Sequence, residues 1–259
     1  MNIGTAKPSP KELGKVGHFF INNLSIKDDY DVGKYEREVL LLLERLFKQH
    51  KMVILTGGSG LYIDAVTHGF DNIPPVDPSV RAELNLIFKK EGKSLLQEKL
   101  RHLDPDYYEK VDLNNPQRLI RALEVTIGTG RPFSSFRKKN KAERPFTSVK
   151  IGLERDRQEL YDRINLRMDA MIAEGLFEEA KGLYAMRHYN ALQTVGYKEI
   201  FGYLEGAYDK EETIRLLKRN SRRYAKRQFT WFKREEDFHW FHPSQTQEII
   251  DFVQFQIGE

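Results

Sequence analysis

The stretch from Lys218 to Arg234 carries Lys218, Arg219, Arg222, Arg223, Lys226, Arg227, Lys233 and Arg234, with no acid among them. Cations at this density suit a polyanion, and the interleaved Tyr224, Phe229, Trp231 and Phe232 offer ring faces for stacking bases. A solvated helix face is the competing account of the same run. A second feature is Thr56-Gly57-Gly58-Ser59-Gly60. At a helix start, its free backbone amides and the Ser59 hydroxyl would face an anion or a ribose, and its glycines would permit close approach. A plain tight turn is the alternative. It is not a Walker A loop, because no Lys-Ser/Thr pair closes it, and GxxxxGK[ST] occurs nowhere in the sequence.

Arg163 and Arg167 lie four apart, so on a helix both guanidinium groups leave one face, and two such forks can hold a pyrophosphate. The alternative pairs Glu159 with Arg163 at i,i+4 and leaves Arg167 simply exposed. Asn115-Pro116-Gln117-Arg118 reads as a helix start that throws Gln117, Arg118 and Arg121 onto exposed early turns, where they can bond bases and phosphates or merely face water. Gln193-Thr194-Val195-Gly196-Tyr197-Lys198 reads as a loop with an aromatic and polar amides, fit to grip a splayed nucleotide or to serve as a connector. The histidines are scattered without metal-ligand spacing, and no metal-ligating residue is assigned.

These residues need elements to hold them. Val32, Tyr35, Val39, Leu42, Leu43, Leu46 and Phe47 recur at helical steps after Asp31, predicting a helix from Asp31 to about His50. Met52-Val53-Ile54-Leu55 is wholly apolar and predicts a buried parallel strand, followed by the glycine turn and a helix from Leu61 to about His68. That order is the grammar of an α/β sheet with its site at the carboxyl ends of the strands. Between Pro74 and Pro145 the apolar spacing is helical, predicting an all-helical insertion bounded by Pro74-Pro75 and the charged tract Arg137-Lys138-Lys139-Asn140-Lys141. Thr147 to Leu153 resumes strand character. From Arg157 onward the chain is predicted mostly helical, with breaks near Gly175, at Ala191 to Gly196 and at Gly206.

Composition bounds the answer. The 259 residues are 40% hydrophobic and 31% charged, enough for one large or two small domains and unlike collagen, coiled coil or a disordered chain. There are no cysteines, which excludes disulfides and a thiol nucleophile. No apolar run approaches a membrane span, and the first residues have no export-signal pattern, so a protein of the cytoplasm is expected.

Taken together, these stretches resemble the tRNA dimethylallyltransferases, also called tRNA isopentenyltransferases. The likeness runs from Met1 to about Trp240 and rests on six motifs in family order. They are Met1-Asn2-Ile3-Gly4-Thr5-Ala6-Lys7-Pro8, Leu55-Thr56-Gly57-Gly58-Ser59-Gly60-Leu61-Tyr62, Asp77-Pro78-Ser79-Val80-Arg81, Asn115-Pro116-Gln117-Arg118-Leu119-Ile120-Arg121-Ala122-Leu123-Glu124, Val195-Gly196-Tyr197-Lys198-Glu199 and Ala225-Lys226-Arg227-Gln228-Phe229-Thr230-Trp231-Phe232. The resemblance implies transfer of a dimethylallyl group from dimethylallyl diphosphate to the exocyclic amine of the adenosine 3′ of the anticodon, releasing pyrophosphate with help from Mg2+. It also implies a nucleotide-binding, ATP-binding type of core, the tRNA anticodon stem-loop as partner, no membrane, and a monomer at full length.

The implied fold is α/β: a P-loop NTPase-like (nucleotide-kinase-like) parallel-sheet core over residues 1–73 and 146–259, a helical insertion over 74–145 that contacts tRNA, and a largely helical C-terminal part. By position, the resemblance assigns tRNA contacts to Ser59, Arg81, Gln117, Arg118, Leu119, Ile120, Arg121, Gln193, Thr194, Val195, Gly196, Tyr197 and Lys198. It adds Lys226, Arg227, Gln228, Phe229, Thr230, Trp231, Phe232 and Lys233, makes Gly57, Gly58 and Gly60 the phosphate-facing turn, and gives the diphosphate to Arg163 or Arg167. The family's Walker A loop and its following Asp-Ser segment, which supplies the general base, have no counterpart in these residues. The expectation is therefore that this chain alone binds tRNA weakly, does not prenylate it, is marginally stable and tends to associate. A non-catalytic RNA-binding remnant is the alternative, with a nucleotide kinase third.

Overall fold

Capping side chains set where the first helices begin. The computed structural model describes residues 1–71, 73–137 and 142–258; Lys138, Lys139, Asn140 and Lys141 of the charged tract lie outside the described residues. Ser9 and Glu12 form a reciprocal capping box on the short α1 (Pro10–Leu13), and Asp31 accepts the Lys34 amide at 2.8 Å to open α2 (Val32–Leu46), as its apolar spacing predicts. α3 (Gly60–His68) follows the glycine turn. Between them Met52 to Leu55 departs from expectation: it forms no strand, and Ile54 is 79% exposed. An apolar run becomes a buried strand only where neighbouring backbones supply its ladder, and no described strand pairs with it.

The contacts divide the chain into one unit of Met1–Ile63 with Phe146–Glu259 and a second of Asp64–Pro145. In the second, α4 (Pro78–Glu91), α5 (Lys93–Leu103), the single turn α6 (Pro105–Tyr108) and α7 (Pro116–Thr129) bury Leu84, Leu96, Leu100, Leu119, Ile120 and Leu123 in one core. Each prolyl start is capped: Asp77 for α4, Asp104 for α6 and Asn115 for α7.

In the first unit, β1 (Lys150–Leu153) leads into α8 (Arg157–Ala173), α9 (Leu176–Leu183), α10 (Tyr197–Leu204) and the long α11 (Lys210–Phe232), followed by β2 (Phe238–Phe241) and α12 (Thr246–Ile257). Met168, Leu176, Tyr197, Ile200 and Leu217 form the core of the four helices. β1 and β2 pair in parallel with Gly152 opposite Trp240. A Cβ on Gly152 would lie 2.5 Å from the Trp240 ring, so the register needs glycine there. The strand β2 falls where the sequence reading has helix; four aromatic-rich residues are too short to show a period. The described chain is thus mostly helical with a small parallel sheet.

Candidate functional site

α11 turns Leu216 and Leu217 inward and leaves Arg223, Lys226, Arg227 and Thr230 exposed at steps of three and four. The expectation that its cations lack counter-charges is corrected for Lys218 and Lys233, which carboxylates of other elements pair. Lys218 pairs with Asp169 at 2.6 Å, Arg222 donates to Asn165 at 2.6 Å and Lys233 pairs with Glu154 at 3.0 Å. Arg223, Lys226 and Arg227 have no carboxylate partner among the described residues, and the Arg227 guanidinium lies 5.5 Å over the Tyr224 ring. Phe229 stacks on Trp240 at 5.8 Å and Phe232 packs on Phe238 at 5.4 Å. These two rings hold α11 to β2, so each already has a packing partner within the protein.

The glycine turn rests against the end of α11. Gln228 donates to the Gly58 carbonyl at 3.0 Å, and a Cβ on Gly58 would sit 1.9 Å from the Gln228 amide nitrogen. A Cβ on Gly60 would meet the Trp231 ring at 2.2 Å. Packing against the Trp231 ring therefore explains Gly60, whereas the Gln228 amide beside Gly58 is the end of a flexible side chain. Gly57 has open space and Ser59 is exposed, so both remain open to a ligand.

Gln193, Thr194 and Lys198 are exposed, but Gly196 and Tyr197 are buried, so Tyr197 grips no nucleotide. Gly196 adopts φ +104° as the chain enters α10, and its amide is capped by Glu199 at 2.8 Å. The Tyr197 hydroxyl instead donates to Glu179 at 2.6 Å. That carboxylate also accepts the backbone amides of Asn2 at 2.6 Å, Ile3 at 3.1 Å and Gly4 at 2.9 Å. Burial pushes the Glu179 carboxyl up, but these four bonds outweigh it and bring its pKa down to about 2. Burial, and then the bond to Glu179, push the Tyr197 phenol up.

The anchored N-terminal segment forms one wall of a cleft of about 600 Å3, whose lining includes Lys7, Glu12, His18, Arg167 and Glu174. Arg163 and Arg167 are both exposed on α8. The expected Glu159–Arg163 pair does not form; Glu159 binds Arg155 and, at 3.4 Å, His242.

In the helical unit, Arg81 on α4 reaches α7 and donates to Glu124 at 2.8 Å and to Gln117 at 3.3 Å, while Arg121 meets the same Glu124 oxygen at 3.3 Å. Arg118 is exposed. Leu119 and Ile120 are fully buried and have no surface for a substrate, which corrects their assignment as contacts. They seat the helix that carries Gln117 and Arg121.

Residues 1–235 match the sequence model of the IPP transferase family. A tRNA dimethylallyltransferase 1 of Bacteroides fragilis is 51% identical over 257 residues, 99% of this chain and 85% of that protein. The tRNA dimethylallyltransferase of Cytophaga hutchinsonii is 48% identical over 259 residues, 100% of this chain and 85% of the relative. The chain belongs to the tRNA dimethylallyltransferase family. Its fold agrees with the solved full-length tRNA isopentenylpyrophosphate transferase of Bacillus halodurans, at TM-score 0.70 and 36% identity, over 100% of this chain and 84% of that one. A eukaryotic dimethylallyltransferase acting on tRNA shares the fold at TM-score 0.74 and 23% identity, over 97% of this chain and 69% of that one. Within this family frame, two residues escape the sequence reading. Glu124 stands three after Arg121, a spacing that marks it as a partner. Glu179 has no local signal, since Tyr197 lies 18 residues away and Asn2, Ile3 and Gly4 lie 175 to 177 away.

Proposed function

We propose that this chain serves its family's reaction, the transfer of a dimethylallyl group from its diphosphate to an adenosine amine of tRNA, by holding the two substrates; without a Walker A loop and Asp-Ser segment it is not expected to turn them over alone. The family match across residues 1–235 carries the reading, and the exposed row Arg223, Lys226 and Arg227, without a carboxylate partner among the described residues, supports it. An allylic diphosphate ionises once its leaving group is neutralised, so cations positioned on the pyrophosphate matter more than acid strength. Arg163 and Arg167 are the proposed source. Arg163 is free of its expected acid, and Arg167 lines the cleft with Lys7 and His18. The adenosine must leave its stack to react, which requires a grip on the flanking backbone. That grip is assigned to α11 and Ser59 in the first unit, and to Arg81, Gln117, Arg118 and Arg121 in the second, which is read as the tRNA-contacting insertion. The small parallel sheet fits a P-loop NTPase-like core.

The cleft's own groups do not make a magnesium site. Glu12 is committed to the Ser9 amide and hydroxyl, both at 2.7 Å, and Glu12, His18 and Glu174 form no convergent ligand set among the described residues.

Two measurements test the reading. Reversing Lys226 and Arg227 to Glu should weaken tRNA binding at least tenfold and flatten its salt dependence, each lost phosphate contact lowering the slope by about one. Unchanged affinity at two salt concentrations removes α11 from the interface. Arg163→Ala and Arg167→Ala, made in a polypeptide that also carries the family's Walker A and Asp-Ser segment, should separate the diphosphate ligand from its neighbour: the true ligand loses turnover with tRNA affinity kept. If both variants keep full turnover, neither holds the leaving group.

A further inference from the structure

Glu124 is 6% exposed on α7, yet it is not part of an apolar wall: its Oε2 takes Arg81 from α4 at 2.8 Å and Arg121 from one turn earlier at 3.3 Å. The two arginine side chains remain 42% and 44% exposed, so each has one edge on the acid and the rest toward solvent. Arg81 also donates its second terminal nitrogen to the Gln117 carbonyl oxygen at 3.3 Å, which points the Gln117 NH2 group away from the cluster. One buried carboxylate thus fixes two guanidinium groups directly and one amide through Arg81.

We propose that Glu124 is a positioning residue for substrate recognition, presetting Arg81, Arg121 and Gln117 so that their outward donors meet tRNA already ordered. It rests on the reading above that these three residues contact tRNA. An arginine free in water gives up rotamer freedom when it binds a phosphate or a base edge; one clamped by a buried acid has given it up on folding. A simple charge count predicts the opposite sign. Removing Glu124 raises the cluster from one net positive charge to two, which should strengthen attraction to any polyanion.

That opposition makes the test. Equilibrium binding of tRNA and of an unrelated RNA of equal length is measured for wild type, Glu124→Gln, Glu124→Asp, Arg81→Ala, Arg121→Ala and the double variant Glu124→Gln with Arg81→Ala. The expected result is that Glu124→Gln weakens tRNA binding about tenfold while the unrelated RNA binds as well or better. Glu124→Asp, which keeps the charge, should fall between and carries the test if the Gln variant folds poorly. The double variant should be much weaker in effect than the sum of its parts, because Glu124 acts through Arg81. Leu84→Ala, in the same helical core, controls for loosening: an equal loss of tRNA affinity there at matched melting temperature would overturn the proposal. So would additivity, or unchanged or tighter tRNA binding by Glu124→Gln. If Arg81→Ala and Arg121→Ala also leave tRNA affinity intact, the contact reading itself has failed. If those two weaken binding and Glu124→Gln does not, only the positioning role has failed.

Discussion

Glu179 collects three backbone amides and a phenol on one carboxylate, so the cost of losing each partner differs. Tyr197→Phe removes one charge-assisted bond of 2.6 Å and leaves the amides of Asn2, Ile3 and Gly4 in place. It should cost about 1–2 kcal/mol in denaturant melts. Glu179→Gln keeps the shape but turns an NH2 group toward backbone N–H donors, and should cost more, about 3 kcal/mol. If Tyr197→Phe proves the worse of the two, the phenol and not the amide trio is the anchor. At this scale the sequence shows only two adjacent glutamates, Glu178 and Glu179, and nothing local distinguishes them.

Glycines show how elements fix one another. A methyl group on Gly60 would meet the Trp231 ring, whose position on α11 cannot swing aside like the end of a flexible chain. Gly60→Ala should therefore cost about 2 kcal/mol by overpacking, whereas Gly57→Ala, with nothing within 4 Å, should melt like the wild type. Thermal melts of the two variants check this. In the longer polypeptide, a Gly57→Ala variant that melts normally but loses turnover would assign Gly57 to the substrate. The turn itself is legible from its glycines; that Gly60 serves the neighbouring helix is not.

Across the whole molecule, acid should loosen what Glu179 ties. Its folded pKa lies below the ordinary carboxylate value of 4.5, at about 2, so its contribution is fully present above pH 4.5 and is lost as pH falls toward 2. Asp77 and Asp156 titrate below their usual value for a local reason, the helix amides they cap, and add to the same limb. Tyr197 is shifted the other way, so its contribution is present below pH 10 and is lost as pH climbs above it. Melting temperatures should decline on both sides, and Glu179→Gln should flatten the acid limb. An unchanged acid limb in that variant would mean other carboxylates govern acid unfolding.

The sequence by itself determined what depends on near neighbours: the capped starts at Asp31 and Asn115, the helical spacing of 74–145, the cationic run, and the motifs that carry the family. Helix caps and periodicity act within a few residues, so they are written in order along the chain. Tertiary structure alone decided which cations are spoken for, since Asp169 and Glu154 pair with Lys218 and Lys233, and Asn165 accepts a hydrogen bond from Arg222, all from other elements. It also sent Phe229 and Phe232 onto β2, buried Tyr197, and left Met52 to Leu55 without a strand partner. The physical reason is common to all of these. Charge pairing, ring burial and strand ladders are completed by groups far away in sequence, and residue type fixes the need for a partner but not its identity.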